Sequence, residues 1–200
     1  MKHFMFIFLL CSIFTCKPEL APKVSPDTLT AFGDVGVRAV IEIPAGTNKK
    51  IEYNYESKSF KPDQINGKDR MIDFLPYPGN YGFIPGTLVK ESNGGDGDAL
   101  DILVISEQLP TGTTLEVIPI AVLDLLDGGE IDTKIIAIPV DSSLRVIQAT
   151  NYEDFLIEYN MAQTIIKDWF LNYKGLGKVD LVGWKDEKQA MNLVKQWAKE

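Results

Sequence analysis

Short β-rich segments fill the chain from Val35 to Val140, and beyond Pro139 the spacing of apolar residues turns helical. In VGVRAVIEIP, residues Val35 to Pro44, Val35, Val37, Ala39, Ile41 and Ile43 share one side and Arg38, Val40 and Glu42 the other, so Glu42 points away from the aliphatic face. KIEYNY predicts a second strand whose Lys50 and Glu52 share one face opposite Ile51, Tyr53 and Tyr55. The polar run from Ser57 to Asp69 predicts a loop or hairpin. Pro76 to Thr87, PYPGNYGFIPGT, has too many prolines and glycines for regular structure, and we read it as a shaped segment carrying aromatics.

Two further runs, Leu115 to Leu123 and Lys134 to Val140, are apolar on both faces, which suits a closed barrel or a covered sheet. Gly128-Gly129 turns the chain between them and brings Asp127 and Asp132 back toward each other. Asn151 is placed as an N-cap, with Phe155, Tyr159, Ala162, Ile166, Trp169 and Tyr173 recurring at helical spacing behind it. A last helix starts near Asp186 and buries Ala190, Leu193, Val194 and Trp197. The element order predicts an α+β fold that is mainly β, a barrel flanked by C-terminal helices.

Before the strands, Lys2 precedes an uncharged stretch from Phe4 to Thr15 that ends at Cys16. That stretch is too short for a helix to cross a hydrocarbon layer of about 30 Å, so residues 1–16 are expected to form a signal peptide. A buried N-terminal helix is the plain alternative. Cys16 stands where the apolar run gives way to polar sequence and resembles the lipidated cysteine of bacterial lipoproteins, although Phe14 and Thr15 replace the small residues usual there. A simple cleavage signal is the rival. Residues 17–34, with Pro18, Pro22 and Pro26, are expected to be a tether, and residues 35–200 one domain. Localisation is then expected to be exported, periplasmic or cell-envelope, with membrane contact only through an anchor at Cys16.

Processing at Cys16 would leave no other cysteine and no histidine, because His3 is the only histidine and Cys11 precedes Cys16. Thiol nucleophiles, disulfides, Ser-His-Asp triads and Cys/His zinc sites are excluded together. The whole chain carries a net charge of -8, and setting aside Lys2 makes the balance more negative still. Nucleic acid is therefore not an expected partner, and hard cations are.

Asp96, Asp98 and Asp101 crowd the glycine-rich bend of GGDGDALDILV. Adjacent carboxylates repel one another unless cations neutralise them, and an all-oxygen donor set suits Mg²⁺, Mn²⁺ or Ca²⁺. An EF-hand is matched only in part, since Leu100 and Asp101 fall at its fifth and sixth positions. A solvated acidic turn is the simpler reading of the motif alone. Asp127 and Asp132 at a second hairpin, Lys134 two residues on, Lys50 with Glu52, Arg70 and the Tyr173-Lys174 pair widen the constellation to one suited to a small polyanionic phosphate.

IEIPAGTNKKIEY, DR, YPGNYGFIPGT, DGDALDILV, DGGEIDTK and NYKGLG occur in the order found in the family I soluble inorganic pyrophosphatases, which the chain resembles from about Val35 to Trp197. The resemblance implies an OB-like five-stranded barrel, several Mg²⁺ ions with Mn²⁺ as a possible substitute, pyrophosphate as substrate, and a homo-oligomer, a hexamer in common bacterial members. It implies Asp96, Asp101, Asp127, Asp132, Glu42 and Glu52 as metal ligands, the two glutamates acting mainly through coordinated water. Asp98 would be the general base toward a water held between ions, and Lys50, Arg70, Tyr81, Lys134, Tyr173 and Lys174 would bind substrate. One residue fewer than in the common bacterial pattern separates Arg70 from YPGNYG, which bears on where the loop carries that arginine. A non-catalytic cation-binding surface lipoprotein that has kept the barrel is the alternative function.

Overall fold

The computed structural model describes residues 25–90, 92, 95 and 97–199. The expected signal segment, Cys16 and Asp96 lie outside the described residues. Ten strands and three α-helices make up the described fold: β1 (Val37–Ile43), β2 (Ile51–Asn54), β3 (Ser59–Pro62), β4 (Gln64–Ile65), β5 (Lys68–Asp69), β6 (Asn80–Phe83), β7 (Asp101–Val104), β8 (Thr114–Asp127), β9 (Glu130–Pro139), α1 (Tyr152–Glu158), α2 (Asn160–Asn172), β10 (Val179–Asp186) and α3 (Glu187–Trp197).

Strands pair in the order β1-β6-β7-β9-β8-β10, and β1 pairs again with β8. That second pairing closes β1, β6, β7, β9 and β8 into a ring of five, the expected OB-like barrel. All neighbours are antiparallel except β7 and β9, which run parallel with Asp101 opposite Lys134. Closure explains why β8 from Val117 to Leu123 and β9 from Ile135 to Pro139 are apolar on both faces. On β9, Ile136 and Ile138 pack in one core with Leu103, Phe155, Trp169 and Phe170, while Ile135 and Ala137 pack in another with Ile41, Ile102, Ala190 and Val194. Neither face of that half of β9 meets water, so alternation disappears from it.

Pro76 to Thr87 corrects the expectation of irregular structure, because Asn80–Phe83 forms β6 between β1 and β7. Its glycine is what allows the pairing: a Cβ on Gly82 would stand 1.9 Å from the Val40 carbonyl oxygen. Asn80 is wholly buried and staples four backbone and side-chain partners, accepting from the amides of Ala45 and Leu109 and donating to Ser106 Oγ and the Glu107 carbonyl.

The Gly128-Gly129 turn forms as expected, both residues in the left-handed region at φ +60° and +94°. Asn151 caps α1 through a bond from the Asp154 amide to Asn151 Oδ1 at 2.9 Å. The single expected helix is two, because Tyr159 (φ −126°, ψ 31°) leaves helical geometry. Asp186 caps α3 by accepting from the Gln189 amide. β10 was not expected; it lies along the edge of the sheet beside β8. Among the described residues no helix is long and apolar enough to cross a membrane.

Candidate functional site

A cleft of about 290 Å³ opens where β1, β2, β6, β7, β9 and the end of α2 meet. Glu42, Lys50, Glu52, Tyr81, Asp98, Asp101, Asp127, Asp132, Lys134, Tyr173 and Lys174 all line it.

Each side chain is aimed by its strand. Ile41 faces Gly82 and Ile43 faces Tyr81, so Glu42 between them is the extra residue of a bulge. The bulge turns Glu42 into the cleft, where its Oε1 accepts from the Tyr53 amide at 2.6 Å. Burial above all, with added repulsion from Asp101 and Glu52, pushes Glu42 up to about 8 despite that bond. On β2, Lys50 and Glu52 share a face as expected and form an ion pair at 2.5 Å.

Asp101 starts β7 and stands in register with Lys134 on β9, and Asp132 lies two residues before Lys134 on the same face. The Lys134 ammonium bridges both carboxylates and donates to Tyr81 Oη at 3.1 Å. At 3% exposure it is the most buried cation near the cleft. Burial works against its charge, but Asp101 and Asp132 outweigh burial and hold it above the usual lysine range. Tyr81 is pushed well above the ordinary phenol value by burial and then by the same two aspartates.

Across the cleft, Lys174 pairs with Asp127 at the β8–β9 turn. Tyr173 is fixed by a stacked contact with Trp169 at 4.7 Å, and Trp169 packs on Tyr77 at 4.4 Å and donates its Nε1–H to the Leu75 carbonyl. Tyr77 is thus a packing aromatic that also lines the wall. Asp98 sits exposed at the mouth, in the bend before β7.

Arg70 is the one described candidate that is not in this cleft. It lines an adjoining recess with Lys178, Met71, Ile72 and Asp73, which meets the cleft at Asp127, Tyr173 and Lys174. Sequence reasoning also missed Asp63, which binds Arg70 Nη1 at 3.0 Å. Its polar surroundings carry no period, and the pairing becomes visible only when the β4–β5 hairpin brings Asp63 and Arg70 together.

Six carboxylates face three ammonium groups in the cleft. The all-oxygen excess of negative charge fits hard divalent cations. Among the described residues no three carboxylates close on one point. They line opposite walls, with Lys134 between two of them, and Asp96 is outside the described set.

The model of the inorganic pyrophosphatase family matches residues 39–200. An inorganic pyrophosphatase of Neisseria meningitidis is 35% identical over 174 residues, covering 82% of this chain and 89% of its own. One from Sulfolobus acidocaldarius is 37% identical over 162 residues, covering 79% and 87%. Among solved structures, an inorganic pyrophosphatase from Neisseria gonorrhoeae superposes with a TM-score of 0.70 at 32% identity, over 86% of this chain and 95% of its own.

Proposed function

The chain belongs to the inorganic pyrophosphatase family, and from that premise we propose that its cleft hydrolyses pyrophosphate to two phosphates. The observation that carries the reading is the meeting, in one cleft, of the carboxylates and cations that the sequence scatters from Glu42 to Lys174.

In this reading Glu42, Glu52, Asp96, Asp101, Asp127 and Asp132 would hold divalent cations, Mg²⁺ with Mn²⁺ as a substitute. When bound, these supply Lewis-acid charge that acidifies the attacking water and neutralises phosphate oxygens. Asp98, exposed at the mouth, takes the proton of that water. Lys134 performs two tasks at once: its three N–H donors join Asp101, Asp132 and Tyr81, and its positive charge attracts the phosphate oxygens of the substrate. Lys50, Tyr173 and Lys174 grip the leaving phosphate, and Arg70 reaches it from the adjoining recess.

Copies of the chain assemble as a homo-oligomer, a hexamer in this reading. Ile157, Met161 and Ile165 support it, since they recur every four residues along α1 and α2 and are 68%, 65% and 58% exposed. Lys2, the apolar stretch to Thr15 and the position of Cys16 support export and lipid anchoring. Fatty-acid labelling of wild type against Cys16→Ala tests the anchor, with equal labelling ruling it out.

Phosphate release from pyrophosphate tests the activity. Wild type is expected to turn over with Mg²⁺ and stop with a chelator, and Asp98→Asn is expected to lose about 10²–10⁴ in kcat. Absence of Mg²⁺-dependent release would refute the function, and unaltered turnover in the variant would refute the role of Asp98.

A further inference from the structure

Three backbone hydrogen bonds set Lys50, Asp63 and Arg70 side by side. The Lys50 amide donates to the Arg70 carbonyl at 3.0 Å, the Asp63 amide to the Lys50 carbonyl at 2.9 Å, and the Arg70 amide to the Asp63 carbonyl at 2.7 Å. The side chains repeat the link: Arg70 Nη1 donates to Asp63 Oδ2 at 3.0 Å, and Lys50 Nζ lies 3.8 Å from the same oxygen. All three side chains are 24% exposed, so the contact is shielded from solvent on most sides.

Asp63 lines neither the cleft nor the recess, yet its carboxylate joins a cation of each. We infer that Asp63 is a positioning residue for substrate binding, holding Lys50 and Arg70 as a preformed pair that closes on pyrophosphate from two sides. This rests on the cleft being the pyrophosphate site.

Two long cationic side chains repel each other and carry much rotamer freedom, both of which oppose their convergence on one small ligand. A carboxylate between them offsets the repulsion and fixes the Arg70 fork before substrate arrives, so the ordering cost is not charged to binding. A merely structural part, closing the base of the β4–β5 hairpin, is separable. The three backbone bonds do that work without the carboxylate, and Asp63→Asn keeps them.

Steady-state hydrolysis and calorimetric binding of imidodiphosphate, in which nitrogen replaces the bridging oxygen, test the inference on the full chain with Mg²⁺. D63N is expected to raise KM and the analogue Kd about tenfold, the loss of one hydrogen bond to a charged group, with kcat within about threefold of wild type. In an Arg70→Ala background the same change is expected to add little. Kd belongs to folded molecules alone, so partial unfolding of D63N lowers the stoichiometry and leaves the readout intact. Analogue affinity within twofold of wild type, or an effect that adds in full to Arg70→Ala, would overturn the inference. A wild-type protein that neither turns over pyrophosphate nor binds the analogue would refute the site assignment instead.

Discussion

Removing the Lys134 ammonium is expected to leave Asp101 and Asp132 facing each other without the cation that joins them. Lys134→Met keeps the length and apolar stem of the side chain and deletes the charge. At an effective dielectric near 20, unit charges about 4 Å apart attract by about 4 kcal/mol, so two carboxylates give a gross attraction of about 8 kcal/mol. Part of this is offset because the variant no longer dehydrates an ammonium, 3% exposed in the wild type. The residual loss is expected at about 3–5 kcal/mol, the range for breaking a buried ion pair. That is a large share of a typical domain's stability.

The assay is urea unfolding at pH 7 with a chelator present, at fixed protein concentration because assembly shifts the midpoint. The midpoint is expected to fall with an unchanged m-value. Excess Mg²⁺ is expected to recover much of the loss, a dication taking over the neutralisation of both aspartates. Turnover at saturating Mg²⁺ is expected to stay down by about 10²–10³, because the buried positive charge beside the transferred phosphoryl group is gone. A loss below about 1 kcal/mol in chelator would refute the reasoning, since the ammonium would then not be what holds the two carboxylates together.

Glu116 accepts hydrogen bonds from the amides of Asp34, Val35 and Gly36 at 2.9, 2.8 and 2.8 Å, which hold its carboxyl below the ordinary glutamate value. A lowered folded pKa gives stability that is present above the unfolded value and lost as pH falls through the folded one. Hydrogen exchange at those three amides is therefore expected to accelerate as pH drops below about 4.5 relative to the intrinsic rate, and Glu116→Gln should remove that step. Asn80→Ala orphans partners on four sides of a fully buried amide, and calorimetric or urea unfolding should register a loss of about 3 kcal/mol or more.

Legibility followed local chemistry. The Gly128-Gly129 turn, the Asn151 cap and the start of a helix near Asp186 were readable because each is announced by residues close together in the sequence. The faces of β2 and of the polar start of β9, Asp132 and Lys134, were readable from period two. β6 was hidden because Gly82 suits a strand only when another backbone passes close by, and that backbone, at Val40, is distant in sequence. β10 was hidden because Gly183, at a register shift, interrupts VDLVGWKD, and as an edge strand it leaves apolar Leu181 and Val182 exposed. Most of the site's membership was legible by resemblance, whereas its wiring was not. That Lys134 bridges two aspartates, that a bulge aims Glu42, and that Asp63 joins Lys50 to Arg70 are relations between strands, and no single segment encodes them.

Asp101 and Lys134 are partners in the only parallel pairing of the ring, and Asp132 reaches Asp101 through that same register. A slip of one residue between β7 and β9 would turn Lys134 to the opposite face and scatter all three. The ring permits no such slip locally, because both strands are held on their far sides by β6 and β8. During refolding, a chain with every other element in place but these two strands unjoined has no site at all. Recovery of turnover therefore times a single event, the closing of the barrel, and distinguishes it from the compaction that fluorescence of the buried Trp169 would follow.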